Sequence, residues 1–199
     1  MKINVSRFLW ALLVVAYFIN FFYNLFWDLG NPFPFISFVS MALILLWLGT
    51  EYYFHALFFQ SNLVKNLHPL LRAAFATFFY LFIILSIYDM GWVLKTRFPI
   101  PIEILGFLLI AAGIYIRVEV LIHDKKKIFS SNFYKWVKHP RYTGMILIVI
   151  GIPLAMNSLL ALLLVPAGII IILVEVLYED KILAFNNIKP QFYILPWIK

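Results

Sequence analysis

The chain contains no cysteine. Disulfides, thiolate metal sites and a cysteine nucleophile are therefore excluded. It contains no G-x-G anywhere, so a Rossmann-type phosphate cradle is not expected. Charge is scarce as well. Only 13% of the 199 residues are charged, against 64% hydrophobic and 19% aromatic. A soluble domain carries roughly 25% charged residues. At about half that density there is too little polar surface to cover a water-soluble globule of this size. Disorder is excluded by the same numbers, because a disordered chain is poor in apolar residues. What remains is an all-α, polytopic membrane helix bundle forming a single transmembrane domain over residues 1–199. A separate soluble catalytic domain is not expected at this length.

A helix of about 20 apolar residues spans a bilayer. By that rule the first span is Phe8 to Trp27. Lys2 and Arg7 precede it, but no small-residue cleavage pattern follows, so it reads as a retained anchor. Asp28 to Pro34 is a turn. Further spans are predicted at 35–59, 70–90 and 102–122. A basic segment, His123 to Arg141, separates these four N-terminal helices (1–122) from a last apolar run, Tyr142 to Tyr178. As one helix that run would be about 55 Å long, far beyond a hydrocarbon core of about 30 Å. Pro153, Asn157 and Ser158 interrupt it near the middle. Two helices forming a hairpin, 142–156 and 159–178, are the expectation, giving about six membrane segments.

The basic residues test this topology. With a cytoplasmic N-terminus and six spans, fourteen of the 16 lysines and arginines fall at cytoplasmic ends. Only Lys95 and Arg97 fall outside. That is a clear positive-inside bias. It predicts a multi-pass protein with both termini cytoplasmic, in a plasma membrane or the endoplasmic reticulum. The net charge of +7 is thus mainly a topology signal, and nucleic acid has no claim on it. Gly106 and Gly113, and Gly144 and Gly151, are each seven apart on nearly one helix face. Such glycines let neighbouring helices approach closely.

Ionisable groups inside a membrane are costly, so each raises a question. Glu51 and His55 are four apart on one helix face. Mutual neutralisation explains them better than a proton relay. Arg117, Glu119 and His123 cluster at the end of the fourth span, and Asp89 is expected at an outer interface. Asn20 and Asn24 read as hydrogen-bonding glue between helices. The densest group flanks the hairpin. His139-Pro140-Arg141-Tyr142-Thr143-Gly144 leads into it, and Glu175, Glu179, Asp180 and Leu183 lead out. A hairpin returns its end beside its start, so His139, Arg141 and Tyr142 should face Glu179 and Asp180. Pro140 suits the first turn of a helix. An interfacial charge network clamping the hairpin would use the same residues. No metal site is read from the sequence.

These two segments resemble the isoprenylcysteine carboxyl methyltransferase and phospholipid N-methyltransferase superfamily of membrane methyltransferases. That superfamily carries G-P-Y-x-x-V-R-H-P-x-Y-x-G, an apolar hairpin, then E-E-x-x-L. Here the stretches read Tyr134-Lys135-Trp136-Val137-Lys138-His139-Pro140-Arg141-Tyr142-Thr143-Gly144 and Glu179-Asp180-Lys181-Ile182-Leu183. The resemblance covers roughly residues 130–183. It implies S-adenosylmethionine as methyl donor, bound by the segment 123–199. By motif, His139, Tyr142 and Gly144 would touch the donor. Glu179 would hold its adenosine or amino-acid part, and Tyr134 and Leu183 would close the pocket. The chemistry is compatible. A sulfonium is attracted by carboxylates and aromatic faces. Asp180 and Glu179 accept from its hydroxyls and amine. Lys138, His139 and Arg141 supply donors for its carboxylate. His139, Arg141 and Glu179 are the candidates nearest the reaction. An amine acceptor would need a base such as His139 or a carboxylate. The implied acceptor is lipid-like or prenylated and enters from the bilayer, among the membrane lipids.

Several positions depart from the pattern. Lys138 replaces the arginine before His-Pro, losing bidentate recognition. Asn132-Phe133 stands where a glycine is usual. Glu175 stands where the carboxyl methyltransferases often have a basic residue, which weighs against a carboxylate acceptor. The tail from Phe185 to Lys199 lacks the usual aromatic pattern. Two other functions compete. A nicotinamide-dependent lipid or sterol reductase of the same superfamily would carry an acidic residue after Y-x-G, where Met145 stands here. A non-enzymatic transporter or scaffold would use Glu51/His55 and Arg117/Glu119.

Overall fold

The computed structural model describes residues 15, 19, 35–53, 77–79, 81–86, 88–89, 98–125, 137 and 139–185. Side chains are described at 15 and 19 and over 39–50, 77–79, 81–86, 88–89, 98–122, 137 and 139–177. Among the described residues all regular structure is helical. Four helices are continuous: α1 (Phe35–Tyr53), α2 (Ile100–Lys125), α3 (Pro140–Ala155) and α4 (Leu159–Phe185). A further helical stretch runs over Thr77–Ser86 and continues at 88–89. The predicted first span lies outside the described residues apart from Val15 and Ile19, both helical.

Local hydrogen bonds mark the start of α2, both ends of α3 and the start of α4. The carbonyl of Pro99 accepts from the amides of Ile102 (2.8 Å) and Glu103 (3.4 Å), opening α2. His139 is the N-cap residue of α3, with Pro140 in its first turn. Its carbonyl accepts from the amides of Tyr142 and Thr143, both at 3.1 Å. At the far end of α3 the Met156 amide donates to Ile152 at 2.9 Å. Asn157 then takes a left-handed conformation, φ 55°. The Ser158 amide reaches back to the carbonyl of Pro153 at 2.9 Å. This is a Schellman termination with asparagine in the place glycine usually fills. Ser158 at once caps the next helix: its Oγ accepts from the Ala161 amide at 3.1 Å. Three residues therefore end α3, reverse the chain and start α4.

α2 packs antiparallel against α3, and α3 and α4 form a hairpin. A Cβ placed on Gly113 would lie 2.5 Å from the carbonyl oxygen of Gly144, and one on Gly151 2.7 Å from that of Gly106. The two heptad-spaced pairs therefore meet each other across the α2–α3 seam, as small-residue faces do in bilayers. α4 lies against α3, where Gly168 faces Val149 and also Phe78 of the 77–86 stretch. α1 contributes Met41, Ile44, Trp47 and Leu48 to a common core with Phe82, Ile110, Ile148, Ile152 and Ile172.

The outer faces are apolar too. Leu105, Leu108 and Tyr115 on α2 and Leu163, Ile170 and Leu177 on α4 are exposed. Soluble monomers rarely expose apolar surface on this scale. By length and composition two helices can cross a membrane, over Ile100–Ile122 and Leu159–Leu177. Val39–Thr50 and α3 are shorter apolar helices. The expected hairpin is present with its turn at the expected residues. The expected total of about six spans is not established by the described residues.

Candidate functional site

The bundle has two polar ends. Glu103 and Arg117 lie fourteen residues apart on α2, so the ends are separated by about 21 Å.

One end is the hairpin turn. The side chain of Asn157 donates to Glu103 Oε1 at 2.9 Å and accepts from the Phe98 amide at 2.6 Å. Asp89 Oδ2 accepts from Ser158 Oγ at 3.0 Å and from the Leu160 amide at 2.9 Å. Asp89 thus places its carboxylate at the N-terminus of α4, where the helix dipole favours a negative charge. It is fully buried. All of these side chains are enclosed, and their hydrogen bonds tie helices to one another.

The other end carries the residues singled out from the motif. His139 is buried, 7% exposed, and its ring meets that of Tyr142 edge-on, with centroids 5.9 Å apart and planes at 65°. The three-residue spacing on the first turn of α3 produces this pairing. Arg141 and Tyr142 are half-buried. They line a recess with Arg117 of α2, Met145 of α3, and Ile172 and Glu175 of α4. The recess is partly open to the exterior, and its enclosed space has room for about one water molecule.

Arg117 is the residue the motif did not point to. It is only 3% exposed. Its Nη1 donates to the carbonyl of Arg141 at 2.9 Å. Its stem crosses Gly144, where an added Cβ would come within 2.8 Å of Arg117 Cγ. Gly144 therefore opens toward α2 and makes room for arginine. A signal existed in the sequence: Arg117 is four residues past Gly113 and so continues the glycine face. Glu175, one turn before Glu179, is also buried, 7% exposed, and lines the recess.

Other predicted site residues have a less complete description. Tyr134 and Lys138 lie outside the described residues. Glu179, Asp180 and Leu183 belong to the backbone of α4, but their side chains lie beyond those described. Glu51 lies in α1 without a described side chain, and His55 lies outside the described residues. Among the described residues no group of three or more His, Asp or Glu suits a metal ion.

Fold and site together are an apolar helical bundle, with two helices able to cross a membrane by length and composition and a charged recess at one end of a glycine-packed hairpin. Residues 100–185, which are α2, α3 and α4, match the isoprenylcysteine carboxyl methyltransferase (ICMT) family. The match is confined to this segment and supports its membership of that family of membrane methyltransferases. No curated protein and no solved structure matches the chain.

Proposed function

We propose that this protein is an S-adenosylmethionine-dependent methyltransferase of the membrane that methylates a lipid-like acceptor. The observation that carries the reading is the convergence of Arg117, Arg141, Tyr142 and Glu175 on one recess inside the family-matched segment. The donor set suits the methyl donor. Arginines match its carboxylate, a buried carboxylate matches its cationic groups, and the Tyr142 ring offers an aromatic face. His139, Tyr142 and Gly144 are the motif residues of α3, and Glu179, Asp180 and Leu183 those of α4, with Tyr134 and Lys138 completing the set. When bound, S-adenosylmethionine supplies an electrophilic methyl group.

The chain's own task is alignment and dryness, since an in-line displacement depends on geometry and on excluding water. A seam as tight as α2–α3 suits the first. Met145 and Ile172 on the recess walls suit the second. His139, buried beside Tyr142, is the candidate base for an amine acceptor. Exposed apolar faces on α2 and α4 fit an acceptor arriving sideways through lipid. Six spans with both termini in the cytoplasm belong to the same reading.

The test is saturable binding of S-adenosylmethionine or S-adenosylhomocysteine by the detergent-purified protein. His139→Ala and Glu179→Ala are each expected to weaken it at least about tenfold, the worth of one charge-assisted contact. No binding at millimolar ligand overturns the proposal.

A further inference from the structure

We infer that Arg117 is a positioning residue: it holds the first turn of α3, and through that turn it sets where His139 and Tyr142 stand. Its effect on ligand binding rests on the methyltransferase reading, whereas the restraint itself does not. The first turn of α3 lacks the fastening that helix starts usually have. Its N-cap is His139, at φ −126° and ψ 66°, and the side chain makes no capping hydrogen bond. Serine, threonine, aspartate or asparagine would provide one. Pro140 brings no amide to the turn. Helix ends of this kind fray. Here, however, His139 is buried and its ring is set edge-on to Tyr142.

Arg117 supplies the fastening at two points. Its stem crosses Gly144, and its Nη1 donates to the Arg141 carbonyl at 2.9 Å. Residues 141 and 144 bracket Tyr142 and Thr143, so the arginine lies along the turn that carries the ring pair. Its own root is fixed, because one turn earlier Gly113 meets the Gly144 carbonyl at the α2–α3 seam. Helix electrostatics does not account for the placement, since a cation at a helix N-terminus opposes the dipole. Burying a guanidinium is costly as well. Glu175 brings a carboxylate to the same recess, which offsets that cost. The enclosed space beside Arg117 has room for about one water molecule, so this arginine acts through the turn it holds. Arg141, half-buried, is the more accessible of the two.

The experiment combines amide hydrogen exchange and ligand binding on the purified full chain. Arg117→Met keeps the stem over Gly144 and removes the hydrogen bond. Arg117→Lys keeps the stem, the charge and a donor. The Tyr142 and Thr143 amides, which bond to the His139 carbonyl, are the reporters. Without ligand they should exchange at least about tenfold faster in Arg117→Met, the worth of one hydrogen bond to a charged group. Arg117→Lys should return most of the protection. Affinity for S-adenosylhomocysteine should follow the same order, falling at least about tenfold in the methionine variant and largely recovering in the lysine variant. Arg117→Gln, polar but shorter, repeats the test with the same expected losses if Arg117→Met does not fold. Asn157→Ala, weakened at the other end of α3, is the stability control and should change neither readout. Unchanged exchange at Tyr142 and Thr143, equal acceleration along the whole of α3, or faster local exchange with unaltered affinity overturns the inference and leaves the methyltransferase reading standing. Wild-type protein that binds no S-adenosylhomocysteine overturns that reading and the role in binding, and the restraint then stands or falls on the exchange contrast.

Discussion

At the scale of single residues, the molecule depends on side chains that are missing. A Cβ on Gly113 would sit 2.5 Å from the Gly144 carbonyl, 2.7 Å from Ile148 Cγ1 and 3.2 Å from the Ile148 amide nitrogen. Two of these atoms are backbone and cannot step aside. Gly113→Ala is therefore expected to push α2 off α3 and destabilise by roughly 1–3 kcal/mol, the usual range for overpacking. Gly49 on α1 is the control, with nothing within 4 Å of an added Cβ. Gly49→Ala should be neutral or slightly stabilising, since glycine is about 1 kcal/mol less favourable than alanine within a helix. Thermal unfolding of both variants in detergent checks the contrast. Heptad spacing made these glycines visible in the sequence as contact residues. Which glycine meets which was not visible, because that depends on the antiparallel register set by the hairpin. For the same reason Arg117 was legible only as a charge near a helix end. Its stem finds Gly144, and its guanidinium finds Arg141, only once α2 is laid against α3.

At the scale of elements, the α3–α4 hairpin was legible because a 37-residue apolar run is too long for one crossing and is broken by Asn157 and Ser158. The turn's partners were not legible. Glu103 and Asp89 lie 54 and 69 residues from the side chains they bind. Asn157 does two separable jobs, tolerating the left-handed backbone and bonding Glu103 and Phe98. Asn157→Gly keeps the first and loses the second. Asn157→Ala loses both, adding about 1–2 kcal/mol of left-handed strain. The expected order of stability is wild type, then Gly, then Ala. An Ala variant as stable as the Gly variant would show that the backbone conformation costs nothing here. Because the site lies at the opposite end of α3, affinity for S-adenosylhomocysteine measured below the unfolding temperature should be the same in all three.

At the scale of the whole molecule, the proposed sidedness follows from charges too sparse to do much else. With 13% of residues charged, the positions of lysine and arginine serve in that proposal mainly to mark the cytoplasmic loops. The proposed site fits that arrangement: a water-soluble donor would reach the His139 end from the cytoplasm, and a lipid acceptor would reach it through the bilayer. The ends of the hairpin and the basic segment would then share one side, and Lys95 and Arg97 the other. The chain's lack of cysteine makes this directly measurable, because any thiol introduced is the only one present. Lys95→Cys should react with a membrane-impermeant maleimide in intact cells. Lys126→Cys and Lys199→Cys should react only after permeabilisation. Labelling of Lys126→Cys in intact cells would put the His139 end outside and separate it from a cytoplasmic methyl donor. Labelling of Lys199→Cys but not of Lys126→Cys would put the two flanks of the hairpin on opposite sides of the membrane. In that case the α3–α4 hairpin would not span the membrane as two crossings, and the short α3, 16 residues and about 24 Å long, would be the element that fails to traverse it.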